Sequence, residues 1–169
     1  METEIIRNKV SESGIITIDM QEFYDARKTG SVDLNDFLED GILREKVFRE
    51  KVKAWDSRSF TDKHIALFCS EDAIIQPWAW MLMAEKLKHA HIYMCSESEL
   101  PTEIVKRYIE TELNPEAYKN ERVVIKGCGA SYITAACYLL LSQKLLPVVK
   151  TLMYGEPCST VPVYKQPKK

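Results

Sequence analysis

His64-Ile65-Ala66-Leu67-Phe68-Cys69-Ser70-Glu71-Asp72 is the stretch that decides how this chain is read. A run of apolar residues too short for a helix ends in a thiol and a polar turn, the pattern of a buried β-strand entering a loop. The pattern recurs at His91-Ile92-Tyr93-Met94 before Cys95, at Arg122-Val123-Val124-Ile125 before Cys128, and at Thr151-Leu152-Met153-Tyr154 before Cys158. The intervals between these cysteines are close to the roughly 30 residues of one strand-helix-strand unit. The intervening segments have helical character. Pro77 suits the first turn of a helix reaching about Lys88, and Pro101 that of a helix reaching about Leu113 with Ile104, Tyr108 and Ile109 on its buried face. Ser131 to Leu146 is apolar around most of its circumference, which predicts a deeply buried helix or a subunit contact.

Upstream, Val47, Phe48, Val52 and Trp55 recur at helical spacing and predict a helix from Arg44 to Trp55 with a solvated, charged face. Gly14 to Met20 and Ser31 to Asn35 read as two N-terminal strands, paired as a hairpin through Lys28-Thr29-Gly30 or lying at sheet edges. Alternation of strand and helix from His64 onward predicts an α/β fold, a three-layer sandwich with a mostly parallel sheet and helices on both faces. Residues 1–169 are expected to form one domain, and this length buries a core without disulfides or metal.

Composition narrows the function classes. A formal charge of −2 offers no general attraction for nucleic acid or anionic lipid, and Lys165-Gln166-Pro167-Lys168-Lys169 reads as a solvated end. The acidic start Met1-Glu2-Thr3-Glu4 is followed by no apolar signal core, and no stretch reads as a membrane span. An odd cysteine count of 5 without an export signal points to a reducing cytoplasm rather than to a disulfide framework.

In a single parallel sheet the four strand-end cysteines would gather along the carboxyl edge, where ligands of open α/β sheets bind. Cys128 lies between Gly127 and Gly129 just before a helix, with Lys126 beside it; both the helix end and an inward ammonium would favour thiolate. Gly155 and Pro157 present Cys158 on a stiff, non-helical segment. Cys69, Cys128 and Cys158 are therefore the candidate metal ligands. Cys95 is ranked behind them, and Cys137, within a helical apolar stripe, is read as packing. Glu71, Asp72 and Glu156 are the acidic groups expected near that edge, whereas His64 and His91 start strands and belong at the opposite one. Trp78 and Trp80 are expected to wall a pocket, pack in the core or join a homodimer contact. No CxxC pair supports a zinc ribbon or a thioredoxin-type site.

The segments Ile42-Leu43-Arg44-Glu45-Lys46, Cys69-Ser70 with Asp72-Ala73-Ile74 and Pro77-Trp78-Ala79, Val124-Ile125-Lys126-Gly127-Cys128, and Met153 to Pro162 carry a resemblance nearly end to end. The chain resembles the bacterial domain-of-unknown-function family 2480, small cytoplasmic proteins without an assigned activity. The resemblance places the recurring thiols at Cys69, Cys128 and Cys158, and implies a role beside iron–sulfur cluster assembly with its assembly proteins as partners. Three functions compete. One is a thiolate site for iron, zinc or an iron–sulfur cluster, its fourth position open or filled by Glu156, Cys95, water or a partner. Another is a thiol enzyme for sulfur or acyl transfer using Cys128 or Cys158, which lacks a histidine base at the thiol edge. The third is a protein–protein adaptor or small-ligand binder with structural cysteines. A shared metal would require the sulfurs of Cys69, Cys128 and Cys158 to lie within about 4–7 Å of one another.

Overall fold

The computed structural model describes residues 14–127, 129–156 and 159–167. The described strands are β1 (Ile15–Ile18), β2 (Thr29–Asp33), β3 (His64–Phe68), β4 (His91–Tyr93), β5 (Arg122–Ile125), β6 (Thr151–Glu156) and β7 (Ser159–Lys165). The α-helices are α1 (Glu45–Ala54), α2 (Pro77–Lys86), α3 (Leu100–Thr111) and α4 (Ala135–Leu145). The α/β class and the mostly parallel pairing are as expected, but the strands sort into two sheets rather than one. The chain divides into two compact units. Asp25–Ile104 is the central unit, and Met1–Tyr24 with Val105–Lys169 is the terminal unit.

In the central unit the sheet order is β2-β3-β4, wholly parallel, with Thr29 opposite His64 and His64 opposite His91. Gln76 is extended at φ −67 and ψ 145, as the residue before a proline must be, and Pro77 starts α2 where its missing N–H costs nothing. One face of that helix buries Ala79 and Met83, and Leu87 follows at the same spacing just past the helix end. Phe48 and Val52 of α1, Leu34, and Ile65 and Leu67 of β3 complete the same core. Each large side chain so buried stabilises the fold by about 1.5–3 kcal/mol. Phe48 meets Trp78 edge-on at 5.6 Å, so Trp78 belongs to this packing.

The terminal unit has the order β1-β5-β6-β7, in which the first three strands are parallel and β7 runs antiparallel to β6. Val105 and Ile109 of α3 and Cys137, Leu141 and Leu145 of α4 pack against Ile18, Val123, Ile125 and Leu152 of the sheet. The buried residues of α4 fall on one i, i+4 row while Leu139 is exposed, so this helix has one core face rather than an all-round burial.

Of the two arrangements expected for the N-terminal strands the edge one holds: β1 and β2 are edge strands of different sheets, and Thr29 and Gly30 belong to β2 rather than to a turn. Two expectations are corrected. The Ser131 helix begins only at Ala135, because Ile133 N–H returns to the carbonyl of Ala130 at 2.9 Å in a preceding turn. The chain near the C-terminus is not simply solvated, since Lys165 pairs with Thr151 in β7 and Gln166 N–H donates to Lys150 O at 2.9 Å. Val161-Pro162-Val163-Tyr164 hides this strand from sequence reading because a proline inside an apolar run argues against a strand interior. β7 tolerates it as an edge strand, next to an irregularity in register at Leu152/Met153. No helix among the described residues is long and apolar enough to cross a membrane.

Candidate functional site at the strand ends

In the central unit Asp33 closes β2 in extended conformation and caps a 3-10 turn by accepting from Asn35 N–H at 2.9 Å. The same Oδ1 accepts from Ser70 N–H at 3.0 Å, which fastens the loop after β3 to the end of β2. Burial works to raise the Asp33 pKa; the Ser70 side chain and the amides of Asn35 and Ser70 outweigh it and hold the carboxyl below its usual value. After β4, Ser96 N–H and its hydroxyl both donate to Glu99, at 2.9 and 2.7 Å, a Ser-x-x-Glu cap at the entry to α3.

Between these two anchored loops lies a groove of about 460 Å³. Cys69 and Cys95 both line it, together with Met94, Glu71, Ser96 and Trp80. The two thiols follow adjacent parallel strands, and both are partly exposed. Burial raises the Cys69 pKa, helped by the charges of Asp33 and Glu71 and opposed by the Glu71 amide. Burial, with Glu103 and Glu99 nearby, pushes Cys95 up to about 11. Both thiols are therefore protonated at neutral pH, and a cation arriving in the groove must displace their protons.

The terminal unit repeats the aspartate device. Asp19, just beyond β1, caps a 3-10 turn through Gln21 N–H at 3.0 Å, and its other oxygen accepts from Lys126 Nζ at 2.7 Å. Burial acts to raise the Asp19 pKa, and Lys126 with the Gln21 amide lowers it overall. Lys126 N–H also reaches back to Ile18 O at 2.9 Å. The hydroxyl of Tyr138 donates to Lys126 O at 3.1 Å, that of Tyr154 to Gly127 O at 3.3 Å, and the two rings meet edge-on at 5.5 Å. A Cβ on Gly127 would lie 3.0 Å from Tyr154 Cζ and 3.1 Å from Gly155 Cα, so a side chain at that position crowds the loop. Gly155 has φ +119 and a Cβ there would lie 2.6 Å from Ser159 O, which makes glycine mandatory at this bend. Glu156 Oε1 is buried and has no hydrogen-bond partner among the described residues.

The premise of one shared edge for four thiols does not hold, because β3 and β4 belong to one sheet and β5 and β6 to the other. Cys128 and Cys158 lie outside the described residues, as does the expected separation of their sulfurs from Cys69. Cys95, ranked low from sequence, shares a groove with Cys69. Glu71 lines that groove, whereas Asp72 is exposed and does not line it. The ammonium of Lys126 is engaged by Asp19. Cys137 is buried in the terminal core, 3.7 Å from Thr134 Oγ1, as expected. His64 and His91 pair at the start of their strands and stack at 4.9 Å, away from the carboxyl edge as expected, with His64 Nδ1 bonded to Tyr93 Oη at 2.8 Å. Among the described residues no group of three or more His, Cys, Asp or Glu is arranged to hold a metal. Sequence reasoning passed over Asp19, Asp33 and Met94. Ile18-Asp19-Met20 and Val32-Asp33-Leu34 carried a signal, an aspartate between apolar residues at the end of a predicted strand.

A family model described as "Protein of unknown function (DUF2480)" matches residues 4–166, nearly the whole chain, and the protein belongs to that family. Comparison with curated proteins and with solved structures returns no match.

Proposed function

We propose that this protein binds a thiophilic metal ion at the carboxyl ends of its parallel strands, with Cys69 and Cys95 as ligands in the central unit. The observation that carries the reading is that two thiols after adjacent strands line one groove. Thiolates are the protein ligands best suited to zinc, iron and iron–sulfur centres, and a metal compensates the cost of ionising thiols whose pKa is raised. Cys128 and Cys158, which follow β5 and β6 in sequence, are proposed separately as metal donors of the terminal unit. A place beside iron–sulfur cluster assembly in the cytoplasm is its wider form and rests on the family resemblance.

Anaerobic purification followed by metal analysis and an absorption spectrum tests the reading. Retained iron or zinc that falls when Cys69 and Cys95 are both changed to Ser supports it, and visible charge-transfer absorption would favour a cluster. Metal-free protein that takes up none of these ions on reconstitution contradicts it. The homodimer is also proposed, on the exposed Leu139 of α4 and Val161 and Val163 of β7, and a monomeric mass by light scattering would refute it.

A further inference from the structure

The groove offers a third sulfur. Met94 lines it beside Cys69 and Cys95 and is 75 % exposed, so the thioether is accessible without any rearrangement of the core. Leu67, Phe68 and Trp80 supply apolar wall behind the sulfurs. Two thiols and a thioether form a soft donor set of low coordination number. Thiolate and thioether ligands select copper(I), whereas imidazole and carboxylate suit borderline and harder ions.

We propose that the groove between the loops after β3 and β4 is a copper(I) site in which Cys69 and Cys95 bind as thiolates and Met94 completes the coordination through its thioether. The inference rests on the metal-binding reading given above and adds the identity of the ion and of the third ligand. The binding step involves no redox change. Copper enters as Cu⁺, two copper–thiolate bonds form as two S–H bonds break, and the two protons pass to solvent. The site then carries one net negative charge beside the carboxylate of Glu71. Uptake accordingly strengthens as pH rises.

Full-length protein carrying Cys128→Ser and Cys158→Ser isolates the groove. Anaerobic titration with Cu(I) against a chromophoric bicinchoninate or bathocuproine chelator is expected to show one tight equivalent, lost in Cys69→Ser. Met94→Leu, at an exposed position where folding is not at stake, is expected to weaken binding by about tenfold or more. A measurement on protein with its native cysteines protects the test from a misfolded serine variant. Selenomethionine-labelled protein loaded with one equivalent of Cu(I) should show copper–selenium scattering in X-ray absorption, and that signal should vanish in Met94→Leu. Unchanged Cu(I) affinity in Met94→Leu together with no copper–selenium contact overturns this inference. If zinc or cadmium then still binds through Cys69 and Cys95, the broader metal-binding reading survives; if no metal binds there, both fall.

Discussion

The two units solve the same problem at their strand ends and finish differently. Each ends its first parallel strand with an aspartate that caps a 3-10 turn and reaches the loop after the neighbouring strand, Asp19 to Lys126 and Asp33 to Ser70. In the terminal unit that loop is then covered by the Tyr138 and Tyr154 hydroxyls and crowded by Gly155. In the central unit the corresponding space is a groove with two thiols and an exposed thioether. The shared device fixes a loop; beside it the terminal unit places two tyrosine hydroxyls and a tight glycine bend, the central unit a groove. The former contacts are expected to govern stability, and the groove chemistry.

The largest expected effect lies in the groove. Thiolate is the reactive form of cysteine, so a pKa raised to about 11 at Cys95 should slow its alkylation at neutral pH on the order of a hundredfold relative to a free thiol. Residue-resolved mass spectrometry checks this, and reaction at the rate of glutathione would break the picture of protonated groove thiols. The same shift sets a pH dependence. A folded-state pKa above the unfolded value of about 8.5 contributes stability fully present below that pH and lost as pH rises toward about 11, so denaturant midpoints should fall across that alkaline window.

Next in size are the contacts of the terminal unit. Gly155→Ala places a Cβ 2.6 Å from Ser159 O at a positive φ and should destabilise by about 2 kcal/mol or more. Gly30→Ala is its counterpart in the central unit, where the atoms nearest the Cβ are side-chain atoms of Ile65 and Phe60 at 3.2 Å, and should cost less. Equal losses in urea melts would erase the contrast. Asp19→Ala removes a cap and a Lys126 ion pair, an expected cost of about 1–2 kcal/mol, against about 1 kcal/mol for Asp33→Ala. Both carboxyls titrate below their usual value, so this stability is present at neutral pH and lost as pH falls through the acid range. Tyr138→Phe is the smallest change, about 1 kcal/mol for a hydroxyl donating to Lys126 O, and is read by thermal unfolding.

Much of this contrast was legible in the chain, because burial leaves a local trace. His64–Phe68 and Arg122–Ile125 are strands with the bounds their apolar runs predict, and Pro77 marks the start of α2. Partition into two sheets was not legible, since it depends on which strand Ile15–Ile18 joins, and its partner β5 lies far along the chain. Sequence reading joined Cys69 to Cys128 and Cys158; strand adjacency brings Cys95 beside Cys69. Met94 was invisible as a donor because a methionine ending a strand ordinarily reads as packing.

Metal protection of the individual cysteines tests the central claim most directly. The full-length protein is reduced, given one equivalent of a thiophilic ion under anaerobic conditions, alkylated, and mapped peptide by peptide. Cys69 and Cys95 should be protected together, with a common dependence on metal concentration, and substitution of either by Ser should expose the other. Independent labelling of the two, or labelling at rates that metal leaves unchanged, would show that they share a groove but no ligand, and would contradict the account.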